Sequence, residues 1–568
     1  MRRRSVAFIV GLLPGLYREQ AEYISGCECM DITGAGKPYR TKGDAPMKAG
    51  VGMRRYITKH GDTLARIGRL LQADIRQLCR LNPPFAPHQS IAEGQIVVIP
   101  ETSFDDYCSD TLLPPAYTFS EWVPLTPLSR MEQTEYDILI VGAGAGGCAL
   151  LRRLCERMGS RKLKIGVVER GKPLLPTHAL NVPTLWDWDR MQRYYQNPTV
   201  TVPAGRSWPE FPGAILVFAL GGRTIFWGAT CVRIPPFEFA KSWPISYAEL
   251  EPYYQIAETI LLVNKAKSPI SDQLLERLRL DGYADATDVP EAVARGRIPQ
   301  FMSAIEFLGD ALRTGSFDLA VQSRAVRILT DNGRATGVCV MDSGKRSYVL
   351  KASTVVVSGS TFETPRLLLC SGIPGNAIGH YLTNHSYIKA EMPGGVIDGR
   401  DGPINILLPQ AENRPYQFKI LGDRRLVTYD VSGKIESRFD NFVYLDEHRR
   451  DDFGIPELQV RFSHSSADNQ VIKEMVQALG DVTATMRIEN PVNYCFWPPG
   501  FDNHDYGTCR MGNDPGTSAT DRHGRIHGID GLYVSDASII PSLGAVNPLL
   551  TNVALSTRLA DHLLNQLG

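Results

Sequence analysis

The run DILIVGAGAGG occupies residues 137–147 and decides the fold of most of the chain. Residues 138–141 are all apolar, which is typical of a strand buried on both faces. Gly142, Gly144 and Gly147 then satisfy a G-x-G-x-x-G pattern. That pattern provides a tight turn, a close approach of the backbone to a pyrophosphate, and close packing of helix on strand. Residues 148–154 continue at helical spacing, so a helix N-terminus would face the phosphates.

A second strand and an acidic residue extend this motif. Residues 164–168 are rich in branched apolar side chains, and they lead into Glu169, with Arg170 beside it. An acid at that distance from the glycines suits an unphosphorylated ribose, which favours FAD or NAD over NADP. Strand, turn, helix, strand and acid together predict a dinucleotide-binding βαβ unit. The alternative is a glycine-rich turn inside an ordinary α/β sheet.

Segments far from this turn resemble glucose–methanol–choline (GMC) oxidoreductases. They are residues 220–228 (LGGRTIFWG), 323–328, 354–359, 363–369, 504–512 (HDYGTCRMG), 526–538 and 547–551. They keep the family's order, and the matches spread from residue 136 to 561. The resemblance implies an α/β protein with a Rossmann-like FAD-binding domain and an α+β substrate domain built on an antiparallel sheet. It also implies oxidation of an alcohol at FAD.

The same resemblance assigns roles to individual residues. It implies that His504 is the catalytic base and that Asn547 is its partner, while His385 supports the fold or lines the pocket. The implied cofactor contacts are Gly142, Gly144, Gly147, Glu169, Arg170, Gly222, Thr224, Trp227, Gly228, Val326, Asp536, Ala537, Pro548 and Leu549. Some sugar-oxidising relatives link a histidine covalently to the flavin. Phe226 stands at that position here, so we expect non-covalent FAD, and no metal site is expected.

The chemistry suits these residue types. Oxidising an alcohol removes the hydroxyl proton and transfers a hydride from the same carbon, and an imidazole is a suitable base near neutral pH. An amide such as that of Asn547 can hold the developing alkoxide. Alternating runs at 417–420, 426–429 and 458–462 predict an antiparallel sheet over the flavin, covered by a helix from about 468 to 486. The loop at Arg223–Trp227 and the pairing of His504 with Asn547 resemble those of sugar and glycoside oxidoreductases more than those of choline enzymes, which implies a sugar, glycoside or aminocyclitol substrate.

Residues 56–100 form a separate pattern of strand, two short helices and strand. The Gly61-Asp62 turn, Leu81-Asn82-Pro83 and the closing GQIVVIP run resemble a LysM module. The resemblance implies binding of glycans that contain N-acetylglucosamine, such as peptidoglycan or chitin. The alternative is a packing or interaction unit that binds no glycan.

Bulk properties limit the other possibilities. The 568 residues carry a formal net charge of zero, which gives no reason to expect a nucleic-acid partner. No apolar stretch is long enough to span a bilayer. The N-terminal run Arg2–Arg4, followed by apolar residues, allows two interpretations. It could be a signal for export to the cell envelope or periplasm, or it could be a buried strand of a cytoplasmic protein. The second interpretation is favoured.

The expected domain organisation follows from these segments. An N-terminal segment covers residues 1–53, a LysM-like module 54–101 and a proline-containing linker 102–134. The FAD-binding domain comprises 135–245, 306–384 and 501–568, the last with the catalytic residues. Residues 246–305 form a mixed connecting region, and residues 385–500 form the substrate domain.

Two other functions compete with alcohol oxidation. The protein could be mainly a glycan-binding module with a catalytically idle flavoprotein body, although the presence of both His504 and Asn547 counts against this. It could also be a cyanohydrin lyase, because cyanohydrin cleavage is known within the GMC family that the sequence resembles. Product analysis separates an oxidised carbonyl compound from released cyanide.

Overall fold

The computed structural model describes residues 53–58, 60–71, 75–100, 123–185, 188–195, 197, 199–205, 210–296, 298–393, 402–423, 425–487 and 494–567. The predictions for the N-terminal segment and for most of the linker lie outside these residues. The chain divides into two compact units, one within residues 30–118 and the other from Phe119 onward. No helix in the described ranges is long and apolar enough to cross a bilayer.

The small unit has the predicted order of strand, two helices and strand. Its strands Met53–Ile57 and Ile96–Pro100 pair antiparallel, and its helices are Leu64–Leu71 and Ile75–Leu81. The core consists of buried apolar side chains, namely Leu64, Ile67, Leu78, Ile91, Val97 and Ile99. The buried Asn82 amide donates to the Val98 carbonyl (2.7 Å) and accepts the Val98 N–H (2.7 Å). This amide therefore ties the end of the second helix to the closing strand.

A seven-stranded mixed sheet organises the large unit. Its parallel part consists of Asp318–Ala320, Ile165–Val168, Glu135–Val141 and Ser347–Val357, with Leu532–Val534 beside the last. Arg334–Met341 and Arg324–Asp331 complete the sheet as antiparallel strands. The two predicted strands at 137–141 and 164–168 are thus parallel neighbours. The Ala145–Arg157 helix connects them and packs against Leu549–Gln566 and Ala304–Thr314.

The glycine turn after residue 141 is enforced by close backbone contacts. Gly142 has φ +106°, and a Cβ there would lie 2.3 Å from the Ser358 carbonyl oxygen. A Cβ on Gly147 would lie 2.0 Å from the Gly142 carbonyl oxygen. Neither backbone oxygen can move without opening the turn, so both positions require glycine.

A six-stranded antiparallel sheet forms the second layer. Its strands, in spatial order, are Tyr494–Trp497, His385–Pro393, Leu426–Lys434, Tyr416–Gly422, Ile404–Leu408 and Thr287–Asp288. One face is apolar and packs against the helices Pro269–Leu280 and Ser466–Met486. Because side chains alternate along a strand, polar residues line the other face. They include Lys389, Gln417, Lys419, Thr428, Asp430 and Ser432.

The strand predicted at residues 458–462 forms, but it belongs to a different sheet from the one predicted. Residues 458–462 were expected to join the large antiparallel sheet. Instead, Pro456–Arg461 pairs with Phe442–Arg450 in a separate two-stranded sheet. Their apolar side chains Val443, Leu458 and Val460 pack in another core cluster, around Phe211 and Phe362.

Shorter elements complete the large unit. The strands are Thr201–Pro203 with Ile215–Val217, and Val263–Lys265 with Pro290–Ala294 and Gln300–Phe301. The remaining α-helices are Leu128–Met131, Trp188–Tyr195, Pro236–Ser242, Tyr247–Ile260 and Ser360–Cys370.

Candidate active site

A cavity of about 400 Å³ brings together segments that are hundreds of residues apart. Every residue predicted to contact cofactor or substrate lines it, except Gly147. Gly147 lies behind the turn, where it allows the close packing described above. The lining residues predicted from the sequence are Gly142, Gly144, Glu169, Arg170, Gly222, Thr224, Trp227, Gly228, Val326, His504, Asp536, Ala537, Asn547, Pro548 and Leu549.

The glycine turn leaves a space beside a free helix N-terminus. Gly144 is the N-cap of the Ala145–Arg157 helix, and no side chain caps its N–H groups. A Cβ on Gly144 would meet no protein atom within 4 Å. Gly222 closes the opposite side, since its Cβ would lie 3.2 Å from the Gly144 Cα. An open space bounded by backbone N–H groups and the positive end of a helix dipole fits a pyrophosphate.

Glu169 is fixed at the wall of the cavity, one residue beyond the Ile165–Val168 strand. Its carboxylate accepts the N–H groups of Ala143 (2.8 Å) and Gly171 (2.6 Å). Burial raises the pKa of Glu169, and these two hydrogen bonds oppose that rise. The carboxylate is thereby held where the sequence places the ribose-binding acid.

Arg170 belongs to a buried ion cluster at the same end of the cavity. Its guanidinium lies 3.5 Å from the centre of the Phe218 ring and 2.8 Å from the Glu363 carboxylate. Burial raises the pKa of Glu363, but Arg170, Arg366 and Arg324 outweigh burial and hold it at about 2. Burial also lowers the pKa of Arg170 to about 10. This end of the cavity therefore carries fixed charges.

Other predicted contacts are held by internal hydrogen bonds. The Thr224 hydroxyl donates to the Gly221 carbonyl (2.6 Å), and Trp227 Nε1 donates to the Met302 carbonyl (2.7 Å). The Asp536 carboxylate accepts the N–H groups of Ser360 and Ser538, both at 2.9 Å. These bonds make the cavity wall rigid before any ligand enters.

His504 and Asn547 meet at the cavity although 43 residues separate them. Asn547 Nδ2 lies 2.9 Å from His504 Nε2. The pKa of His504 is well below its usual range because of burial, then His385, Lys419 and Arg223. The imidazole is consequently neutral near pH 7, as a proton acceptor must be.

The structure adds residues that the sequence did not identify. Asp502 lies behind His504, with its carboxylate 3.5 Å from His504 Nδ1. His385, expected to support the fold or line the pocket, does not line the cavity, but its Nδ1 lies 3.1 Å from His504 Nδ1. Lys419 lines the cavity and pairs with Asp430 (3.1 Å). No spacing rule links these positions, because they meet only through the pairing of distant strands and loops.

The ligand-type atoms of His385, Asp502 and His504 all lie within 4.8 Å of one another. A group of this kind could hold a metal ion, which no sequence motif predicted. The Asp502 carboxylate already accepts the backbone N–H of His385 (3.1 Å) and the side-chain amide of Asn384 (3.3 Å).

Comparisons with known proteins agree on one family. Family models described as GMC oxidoreductase match residues 136–387 and 437–556. The chain is 25% identical to a 2-methyl-1,2-propanediol dehydrogenase of Mycolicibacterium austroafricanum, over 75% of this chain and 95% of that protein. It is 26% identical to a C-glycoside 3-oxidase of Arthrobacter globiformis, over 76% of this chain and 95% of that protein. The fold also matches a structure of an Aspergillus oryzae formate oxidase that was studied for FAD modification. The TM-score is 0.58 and the identity 15%, over 76% of this chain and 98% of that one.

Proposed function

The chain belongs to the GMC oxidoreductase family, and from this membership we propose that it oxidises a hydroxyl group of a sugar or glycoside to a carbonyl at bound FAD. The enzyme class, an oxidoreductase acting on alcohol groups, follows from the family and from relatives named as oxidases and dehydrogenases. The similarity to a C-glycoside 3-oxidase over 95% of its length supports a carbohydrate substrate.

The cavity wall carries a side chain that can bind sugar hydroxyl groups. Lys419 brings an ammonium group to the wall, where it lowers the pKa of His504. An ammonium donates hydrogen bonds to sugar hydroxyl oxygens, and its pairing with Asp430 (3.1 Å) offsets its charge.

We assign FAD to the cavity by its fit to the protein groups. The pyrophosphate would lie at Gly142–Gly144 and the ribose at Glu169 and Arg170. The flavin would lie between the loop of Gly222, Thr224, Trp227 and Gly228 and the segments that carry His504, Ala537 and Asn547–Leu549, while Val326 and Asp536 complete the wall. Phe226 offers no nucleophile, so we propose that FAD is held non-covalently. Acid precipitation of the holoenzyme should leave all yellow colour in the supernatant; flavin in the pellet would contradict this.

The proposed mechanism rests on one pair of side chains, His504 Nε2 and Asn547 Nδ2, 2.9 Å apart at the cavity. His504 takes the hydroxyl proton at Nε2, and Asn547 donates a hydrogen bond to the developing alkoxide. When bound, FAD accepts the hydride from the same carbon. Because the imidazole starts neutral, it can accept the proton near pH 7.

The test is anaerobic bleaching of the flavin against neutral sugars, glycosides, aminocyclitols, sterols and simple alcohols. We expect reduction by a sugar or glycoside, with His504→Gln slowing it by about 10²–10⁴-fold at unchanged flavin content. Reduction only by non-carbohydrate alcohols would reject the substrate class. Full activity of His504→Gln would reject the base, and cyanide release would indicate lyase chemistry instead.

For the small unit we propose a LysM-like glycan-binding role. Its antiparallel strands enclose two helices around a buried core, as the sequence pattern predicts. The full chain should sediment with insoluble chitin or peptidoglycan, while a chain lacking residues 53–100 should remain in solution. Equal sedimentation of both proteins would favour a packing or interaction unit. Glycan binding that persists in His504→Gln, together with no flavin reduction by any panel compound in the wild type, would favour the idle flavoprotein alternative.

We further propose the domain assignment given by the sequence. The parallel strands and the glycine turn lie in 135–245, 306–384 and 501–568, which would form the FAD-binding domain. The large antiparallel sheet takes five of its six strands from 385–500, the proposed substrate domain. Residues 246–305 connect the two and supply its edge strand, Thr287–Asp288.

A further inference from the structure

A chain of hydrogen bonds runs through His504 from the cavity to the buried side of the site. On the cavity side, Gln417 Nε2 donates to Asn547 Oδ1 (3.4 Å), which directs the Asn547 amide nitrogen toward His504. Asn547 Nδ2 then lies 2.9 Å from His504 Nε2. An amide nitrogen only donates, so Nε2 must accept and cannot carry a proton.

This orientation fixes the proton on the other ring nitrogen. A neutral imidazole carries one N–H, which must therefore lie on His504 Nδ1. Nδ1 faces His385 Nδ1 at 3.1 Å, and one proton between two nitrogens makes a hydrogen bond, whereas two or none would not. His385 Nδ1 is thus the acceptor.

A buried carboxylate completes the arrangement. The Asp502 side chain is 1% exposed, and its Oδ2 lies 3.5 Å from His504 Nδ1 and 3.6 Å from His385 Nδ1. The carboxylate accepts the backbone N–H of His385 and the side-chain amide of Asn384. These bonds link the segment of Asp502 to the start of the His385–Pro393 strand. The carboxylate is too far from either ring for a short hydrogen bond, yet close enough to balance a positive imidazole.

We propose that His385 and Asp502 are positioning residues for the base. His385 holds His504 in the Nδ1–H tautomer, and Asp502 balances the imidazolium that forms. In the reaction the substrate O–H bond breaks and an N–H bond forms at His504 Nε2, while the hydride leaves the same carbon for the flavin. This inference rests on the proposed function of His504, and it adds two residues on the Nδ1 side of the base, away from the Nε2 that takes the proton.

The charges around the cluster determine its pH dependence. Asp502 is faced by His385, His504, Asp505 and Tyr506, and His504 also by Lys419 and Arg223. Burial, and then Asp505, raise the pKa of Asp502 to about 7. The carboxylate therefore gains its charge as pH rises through that range. Flavin reduction should speed up as pH rises through about 7, and this step should vanish in Asp502→Asn.

The first test reads the tautomer without substrate. In holoenzyme labelled with ¹⁵N-histidine, the His504 signal is identified by its loss in His504→Gln. We expect a protonated Nδ1 and a bare Nε2. His385→Leu removes one of the two groups that favour this tautomer, so it should raise the fraction of Nε2–H against the remaining Asn547 donor. His385→Asn, whose amide oxygen can occupy the Nδ1 position, should lower that fraction again. A wild-type Nε2–H ring, or no change in His385→Leu, would overturn the proposal.

The second test follows rates. Asp502→Asn and His385→Leu should reduce flavin bleaching by the best panel sugar about ten-fold or more, with flavin content unchanged and His385→Asn close to wild type. Rates and pH profiles equal to wild type would overturn the proposal while leaving the His504→Gln result intact. If His504→Gln were fully active, the proposed function itself would fail. A stoichiometric metal ion in the holoenzyme, lost in Asp502→Asn, would instead identify a metal site.

Discussion

Two glycines of one turn should fail in different ways when each is replaced by alanine. Gly144 has φ −86° and ψ −161°, which alanine adopts readily, and its Cβ would meet no protein atom within 4 Å. Gly147 has the Gly142 carbonyl oxygen 2.0 Å from the Cβ position and Ile140 Cγ2 at 3.2 Å. The first substitution leaves the protein's own packing intact, whereas the second forces the turn to open.

The expected magnitudes follow from these contacts. Gly144→Ala should change the stability of the apoprotein by less than about 1 kcal/mol. Its methyl group displaces the pyrophosphate from charge-assisted hydrogen bonds worth about 1.5–3 kcal/mol each, so FAD should bind about 10–100-fold more weakly. Gly147→Ala overpacks a rigid contact and should cost about 1–3 kcal/mol or more in the apoprotein.

The assay separates binding from folding. Apoprotein is titrated with FAD by flavin fluorescence, and its thermal unfolding is followed by circular dichroism. Gly309→Ala is the matched control, because it places a methyl with no neighbour within 4 Å in the Ala304–Thr314 helix, away from the cavity. Wild-type FAD affinity in Gly144→Ala would refute the pyrophosphate site, and an unfolded Gly144→Ala apoprotein would refute the packing argument.

Three further predictions concern charge and hydrogen bonding. Lys419→Met should raise KM for the best neutral sugar about ten-fold, with a smaller effect on kcat, and an unchanged KM would remove Lys419 from substrate recognition. The depressed pKa of Glu363, about 2, stabilises the fold above about pH 4.5, and this stability, about 3 kcal/mol at most, is lost as pH falls toward 2. The free energy of unfolding of Glu363→Gln, measured in urea, should not fall in this way between pH 4.5 and 2. The same pH dependence of that free energy as in the wild type would contradict the prediction. Asn82→Ala should destabilise the small unit by about 2–3 kcal/mol, seen as faster amide exchange within residues 75–100.

The parts of the fold that sequence predicted are those that local geometry determines. The turn at 142–147 requires glycine at Gly142 and Gly147 because a backbone oxygen lies about 2 Å from the Cβ position of each, and such a constraint is visible in the residue pattern alone. The helix and its two parallel strands follow from the same short segment. The family resemblance then added His504 and Asn547, which only long-range folding brings together.

The parts that sequence could not predict depend on which strands pair. The run at 458–462 has the alternation of a strand, but alternation does not specify a partner, and the strand pairs with Phe442–Arg450. Lys419 and Asp430 form an ion pair because they are cross-strand neighbours, a register that neither segment encodes separately. Asp502 likewise acquires its surroundings only when the segment around His385 lies against it.

The charges around His504 answer two opposing requirements of a base. Burial and the cations Lys419 and Arg223 lower its pKa, which keeps the ring unprotonated before reaction. The same charges make the protonated ring costly, so with cations alone the base would be too weak to take a hydroxyl proton. Asp502, 3.5 Å away on the side opposite Asn547, offsets part of that cost. Removing the anion should therefore weaken the base, whereas removing Lys419 should raise the pKa of His504 and move the acidic limb of the rate profile to higher pH.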